Sequence, residues 1–309
     1  MDAWGSRKPH IPIDAVLQQA SALFGQPLSG GREAGAGADH FIVFATAPDD
    51  RRVVIKVGED AHTDAYVLEQ LQGRQVRVPR LLARGEVRAD GRSYPAAVMT
   101  CVDGELLATS DDPHTYLPAI IGQMQRVHQV ATTRGAGTVL RVVQEERAPT
   151  SWKAYLQAIL RGEDPEFDWD DVCTHPLIDP GVLRQAIAFV GTRVEALPEP
   201  LSYRLLHGDL NPYNILVAGG ELTGIIDWSY SRYGDPLFDF ARLRMNPFVR
   251  QESAATKAYF ALLDLASEAR EREQTYYLFN LVEYVHWYAR GHFDAKVREH
   301  LSLLKHLTG

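Results

Sequence analysis

The sequence predicts an α+β chain of two lobes: a small strand-rich N-terminal lobe over residues 1–102 and a larger, mostly helical lobe over 103–309. Three observations carry this reading. The chain has 309 residues, more than one typical domain. The first hundred residues alternate like strands, with one internal helix. After Gly104 the apolar residues recur mostly at helical spacing.

Taken in order, "PIDAVLQQASALFG" is an amphipathic helix closed by Gly25. A glycine-rich stretch, "LSGGREAGAGADH", then runs into the apolar strand "FIVFAT". "RRVVIKVG" is its hairpin partner, with a turn around residues 49 to 52. "DAYVLEQLQG" has helical spacing and stops at Gly73, and two strands follow in "VPRLLARGEV" and "SYPAAVMTCVDG". Beyond the boundary, "PAIIGQMQRVHQVA" puts Ile120, Ile121, Met124 and Val127 on one face. "SWKAYLQAIL" and "PGVLRQAIAFVGTRVEAL" are further helices, the latter with Pro180 near its first turn. Strand character returns in "RLLHGD", "NILVA" and "TGIIDW", and from "DPLFDFARLR" onward the chain is mostly helical.

Composition narrows the function classes. Hydrophobic residues at 45% and charged residues at 23% describe an ordinary globular chain. Cys101 and Cys173 cannot form a disulfide framework, and no metal-ligand spacing surrounds them. There is no signal-peptide pattern and no apolar run long enough for a bilayer, so a cytoplasmic location is expected. The net charge of −8 disfavours nucleic acid as a partner and tolerates a cationic small molecule.

The densest chemistry lies in "LLHGDLNPYNILV". Asp209 and Asn214 sit in a tight polar connection between two apolar runs, and Asp227 leaves the next run thirteen residues after Asn214. A hairpin of 215–217 with 224–226 brings Asp227 beside Asn214. A carboxylate with an amide oxygen suits a hard cation such as Mg²⁺, with phosphate and water completing its shell. The second aspartate can accept a hydrogen bond from a substrate hydroxyl. Asp and Asn also cap loops with no chemistry at all. The order H-G-D-x-x-x-x-N, then a strand, then Asp-Trp matches phosphoryl-transfer enzymes of the kinase fold.

"HGDLNPYNILV" with "GIIDWSYSRYGDPLFDFA" resembles the aminoglycoside phosphotransferase family, which has a two-lobed protein-kinase-like fold. The resemblance implies that Asp209 is the catalytic base and that Asn214 and Asp227 hold Mg²⁺. It implies that His207 braces the loop and that Asp239 ties its backbone from behind. On the nucleotide side, Lys56 in "VVIK" is one of six lysines and needs an anionic partner in its apolar strand; a nucleotide phosphate supplies one. The acid expected on the following helix is Asp64, shorter by a methylene than the family's usual Glu, with Glu69 as the fallback. The resemblance further implies that Gly35 and Gly37 belong to the phosphate-covering loop, and that backbone groups from Thr100 to Val102 form the hinge that reads the base of ATP or GTP.

Short phrases such as "DAYVLEQL", "TSWKAYLQAI", "IDWSYSRYGD" and "ARGHFD" are similar to the hygromycin B phosphotransferase subgroup. The acidic run "GEDPEFDWDD" supplies acceptor-side candidates: Glu163, Asp164, Glu166, Asp168, Asp170 and Asp171. Such runs are commonly solvated loops, but a polyamine acceptor needs carboxylates to meet its ammonium groups. Trp228 is a candidate for stacking on a sugar, whereas the aromatic helix near residues 276–288 reads as core. The expected partners are a nucleotide and a cationic small molecule, bound by a monomer, with no nucleic acid and no membrane.

Overall fold

The structure is a computed structural model that describes residues 11–34, 41–144, 151–250 and 253–308. Helix α1 (Ile13–Phe24) ends at Gly25, whose φ of 75° lies in the left-handed region that closes helices. Strands β1 (Ser29–Glu33), β2 (Phe41–Thr46) and β3 (Arg52–Val57) precede α2 (Ala61–Leu71). Then come β4 (Leu81–Ala89), β5 (Arg92–Thr100), β6 (Glu105–Leu106) and α3 (Leu117–Val127). The middle of the chain forms β7 (Ala131–Thr132), β8 (Gly137–Thr138), α4 (Val139–Gln144), α5 (Trp152–Leu160), α6 (Trp169–Val172) and α7 (Pro180–Glu195). Next are β9 (Tyr203–Leu206), β10 (Ile215–Ala218), β11 (Glu221–Ile225) and β12 (Arg232–Gly234). The remainder is helical: α8 (Leu237–Arg244), α9 (Pro247–Arg250), α10 (Ser253–Leu263), α11 (Ser267–Arg290) and α12 (Asp294–Thr308).

Backbone contacts group the chain into two compact units, Met1–Val130 with Pro212–Ser231 and Ala131–Asn211 with Arg232–Gly309. This grouping differs from a lobe boundary near residue 103, which follows the change of periodicity in the sequence. In the first unit β1-β2-β3-β5-β4 form one antiparallel sheet. Alternation buries Phe41, Val43 and Ala45 of β2 and Val53, Ile55 and Val57 of β3 in one core, where they join Val16 and Ala20 of α1. Each such aliphatic side chain contributes roughly 1.5–3 kcal/mol when fully buried. The same period of two turns Lys56 to the other face of β3, yet it too is buried, at 4% exposure.

A second sheet of the first unit is the β10–β11 hairpin with β6 on its free side. The pairing of β6 demands a glycine beside it. Gly104 has φ +136°, and a Cβ there would lie 2.7 Å from the Val217 carbonyl oxygen.

The second unit contains the small sheet β7-β9-β12-β8. Its core gathers around Trp152, whose ring meets Phe238 edge-on at 5.4 Å and whose Nε1 donates to the Tyr276 hydroxyl at 3.2 Å. The Tyr276 hydroxyl in turn donates to Asp235 Oδ2 at 3.0 Å, so the polar ends of these buried rings are matched. Among the described residues, no helix is long and apolar enough to cross a membrane.

Candidate active site

In the first unit the chemistry converges on Lys56. Its Nζ donates to Asp64 Oδ2 at 2.7 Å, to Asp227 Oδ1 at 2.9 Å and to Ser229 Oγ at 2.6 Å. Burial alone would lower the Lys56 pKa, but the Asp227 and Asp64 carboxylates overcome it and raise it above its ordinary value. The ammonium is therefore held charged. Burial pushes the Asp64 carboxyl upward, against the pull of Lys56 and the Trp228 amide. That amide donates to Asp64 Oδ1 at 3.1 Å, so Asp64 bridges β3 and the segment after β11.

The shorter side chain of Asp64 thus reaches the lysine directly. Glu69, the fallback partner, is instead paired with Arg84 at 3.1 Å.

Asp227 has φ 61°, a left-handed backbone that costs a non-glycine residue about 1 kcal/mol. This turn sends its carboxylate to Lys56 while the next amide reaches Asp64. Asn214 is buried at 8% exposure, and its carbonyl accepts from Ile226 N at 2.9 Å. The hairpin register, Ile215 opposite Ile225, therefore sets Asn214 and Asp227 at the same end of the two strands. Their oxygens are one carboxylate and one amide, a hard donor set. Among the described residues no group of three or more His, Cys, Asp or Glu is disposed around a metal. A cation here would draw its remaining ligands from phosphate and water, which fits Mg²⁺.

In the second unit the element that matters is the connection after β9. Asp239 Oδ2 accepts from His207 N at 2.8 Å, and Oδ1 accepts from Gly208 N at 2.9 Å. His207 is fully buried and its Nδ1 accepts from Asp209 N at 3.2 Å. From the other side, Arg242 Nε and Nη2 donate to Gly208 O at 3.2 and 3.0 Å. Arg242 and Arg232 share the buried Glu283, at 2.5 and 3.2 Å. Burial would raise the Glu283 pKa, but the two guanidinium groups overcome it and lower it. The Asp209 side chain accepts from Asn211 Nδ2 at 2.8 Å on Oδ2 and from the Tyr284 hydroxyl at 3.3 Å on Oδ1. A carboxylate with both oxygens addressed and its backbone clamped on two sides is fixed in direction.

The acidic segment is a built loop on α11. Phe167 packs on His286 at 4.7 Å and on Trp287 at 6.3 Å, and Trp169 lies 5.3 Å from His286. Arg290 Nη1 donates to the Glu166 carbonyl at 3.2 Å. Two of the six acidic candidates are taken up by this architecture. Asp164 is buried and accepts from Glu166 N at 3.1 Å, while Asp168 caps α6 by accepting from the amides of Asp170 and Asp171. Glu163, Asp170 and Asp171 are exposed and Glu166 is half-buried.

Other expectations need correction. Trp228 is fully buried, with Nε1 donating to Ile225 O at 3.2 Å, so it presents no face to a sugar. Thr100 is committed to the sheet: its amide donates to Arg80 O at 2.9 Å and its hydroxyl accepts from Arg80 N at 2.8 Å. Cys101 N likewise donates to Arg52 O at 3.1 Å, so the amides of both residues are spent within the sheet. Gly35 and Gly37 lie outside the described residues. The sequence reading missed Ser229, Asn211, Arg242, Glu283 and Tyr284. Ser229 stood two places after Asp227 in "IDWS", but a lone serine announces nothing, and Tyr284 was absorbed into an aromatic stripe.

The described site thus consists of a buried lysine paired with two acids in the first unit and a clamped aspartate loop in the second. The model of the phosphotransferase enzyme family matches residues 30–276, and the chain belongs to that family. Hygromycin-B 4-O-kinase of Escherichia coli is 24% identical over 203 residues, covering 62% of this chain and 55% of that protein. Homoserine kinase of Neisseria meningitidis serogroup B (strain ATCC BAA-335 / MC58) is 25% identical over 164 residues, covering 48% of this chain and 53% of that protein. The chain thus spans about half the length of the curated relatives it matches. Among solved structures, a thermostable mutant of aminoglycoside phosphotransferase APH(4)-Ia, in ternary complex with ADP and hygromycin B, superposes with a TM-score of 0.70. That match is 19% identical and covers 95% of this chain and 98% of the other, so the fold is the protein-kinase-like fold of the aminoglycoside phosphotransferases.

Proposed function

We propose that this protein transfers the γ-phosphoryl group of ATP to a hydroxyl of a cationic small molecule, with an aminocyclitol antibiotic of the hygromycin B kind as the favoured acceptor. The observation that carries the reading is Lys56 held among Asp64, Asp227 and Ser229. A buried ammonium on a strand, with one acid on the following helix and another after the hairpin, is arranged to exchange a carboxylate for a polyphosphate. Lys56 binds the nucleotide phosphates and Asp64 keeps its head in place. Asn214 and Asp227 hold Mg²⁺, which neutralises phosphate charge when bound. Asp209 accepts the proton of the acceptor hydroxyl and orients it in line. Phosphoryl transfer has a loose transition state, so positioning and charge neutralisation do most of the work. The hinge from Val102 onward receives the base, and Glu163, Glu166, Asp170 and Asp171 draw in the acceptor's ammonium groups. The enzyme works as a cytoplasmic monomer.

A second reading, a metabolic kinase for a small amino alcohol, is favoured by the similarity to homoserine kinase. One experiment separates the two. ADP release is measured with Mg·ATP over a panel of aminocyclitols, aminoglycosides and amino alcohols including homoserine, alongside Asp209→Ala. Turnover confined to antibiotics supports the first reading, and turnover confined to amino alcohols supports the second. Asp209→Ala is expected to lose at least a thousandfold in kcat while still binding ATP by thermal shift. An inactive wild type across the panel, or full activity in that variant, refutes the mechanism.

A further inference from the structure

Tyr284 belongs to the part of α11 that the sequence assigns to core, yet it is only partly buried and its hydroxyl lies 3.3 Å from Asp209 Oδ1. Its ring is held on three sides. The Arg242 guanidinium sits 4.3 Å from the ring centroid, Tyr288 stacks on it at 5.3 Å and 25°, and His300 meets it edge-on at 5.7 Å. Arg242 is the residue whose Nε and Nη2 bond the Gly208 carbonyl, one peptide before Asp209. Glu283, next in sequence to Tyr284, anchors Arg242 from below. The phenol and the loop backbone are therefore referenced to one guanidinium.

From this geometry we infer that Tyr284 is a positioning residue for Asp209: its hydroxyl donates to Oδ1 and fixes the direction in which the carboxylate meets the acceptor hydroxyl. The inference rests on the phosphotransfer reading of Asp209. Burial keeps the phenol protonated, well above its ordinary range, so beside a carboxylate it can only donate. Asn211 supplies the matching bond on Oδ2. Two donors on opposite oxygens remove the carboxylate's freedom to rotate. Such restriction matters most when the reaction depends on in-line alignment rather than on covalent chemistry. Hydrogen bonds to charged groups are the stronger kind, so losing one should be visible in the rate.

Tyr284→Phe tests this cleanly, because it keeps the ring among Arg242, Tyr288 and His300 and removes only the hydroxyl. With the acceptor identified by the panel, kcat is expected to fall about tenfold to a hundredfold. The acceptor KM, the ATP dissociation constant and the urea midpoint should stay within about twofold or within error of wild type. A loss seen in acceptor KM with kcat intact makes Tyr284 an acceptor contact and overturns the inference. So does an unchanged kcat in Tyr284→Phe when Asp209→Ala abolishes turnover. Retained turnover in Asp209→Ala instead removes the base assignment, and the positioning role falls with it.

Discussion

Burying a lysine ammonium costs several kcal/mol unless its protons find acceptors, and Lys56 finds an oxygen for each of its three. The three acceptors are not equivalent. Asp64 is as buried as the lysine, whereas the Asp227 side chain is 36% exposed. Asp64 is therefore the more enclosed partner, and under the proposed function Asp227 is the one shared with a nucleotide-bound cation. Ser229 Oγ lies 2.7 Å from Asp227 Oδ1 and 3.2 Å from Asp64 Oδ2, bridging the two carboxylates. Asp64→Asn keeps the acceptor for the Trp228 amide but removes the charge. It is expected to destabilise the protein by about 1–3 kcal/mol, less than the loss of an unshared buried partner because Asp227 remains. It should also weaken ATP binding about tenfold, since Lys56 then leans on Asp227. Urea unfolding and isothermal titration read both effects; wild-type values in both would show that Asp64 does not organise the lysine.

At the scale of elements, α11 does more than fill the core. One turn of it carries Glu283 and Tyr284 toward the Asp209 loop, while His286 and Trp287 receive Phe167 of the acidic segment. His286 is fully buried between Phe167, Trp169 and Trp287, and neither ring nitrogen has a hydrogen-bond partner among the described residues. Burial, with some help from Arg290, lowers its pKa to about 4. A neutral imidazole fits this aromatic box and an imidazolium does not. Because the folded value is depressed below that of the unfolded chain, acid favours the unfolded state. Stability is intact above about pH 6.5 and declines as the pH falls toward 4. From pH 7 to 4.5 this one histidine accounts for about 2 kcal/mol. His286→Phe should remove that part of the acid sensitivity, as read from urea curves at the two pH values; an unaltered pH dependence would contradict the assignment. The sequence made long periodic elements legible, including α1, α3, α7 and the β2–β3 hairpin, because amphipathic spacing repeats over several turns. It also exposed Asp209, Asn214, Asp227 and Lys56, since rare polar residues stand out in apolar runs. Strands β6, β7, β8 and β12 have two or three residues each and carry no period to read. Tyr284 and Trp228 were misjudged for a related reason: aromatic composition does not say whether a ring is buried, and only tertiary packing decides it.

For the molecule as a whole, the net charge of −8 biases it toward cations, but a diffuse charge selects nothing by itself. Selection needs carboxylates that are exposed and not already spent. Asp168 is engaged as a helix cap and Asp164 is buried, so neutralising either should cost stability before it changes recognition. Asp170 pairs with Arg184 at 3.3 Å, but both side chains are largely exposed, and such a surface pair is worth at most about 1 kcal/mol. Glu163 stands 3.8 Å from Arg161 on equally open ground. These two and Asp171, with the half-buried Glu166, are the residues proposed to meet a polyamine. Each ammonium–carboxylate contact there would be weakened by solvent and by salt, whose screening length is about 8 Å at physiological ionic strength. The combined variant Glu163→Gln, Glu166→Gln, Asp170→Asn, Asp171→Asn is therefore expected to raise the KM of a cationic acceptor about tenfold at low salt. The difference from wild type should shrink toward about twofold at 0.5 M salt, while ATP affinity holds steady throughout. A KM that ignores both the substitutions and the salt would mean that the acceptor is chosen elsewhere. A matching loss of ATP affinity would mean that the segment acts through stability rather than through contact.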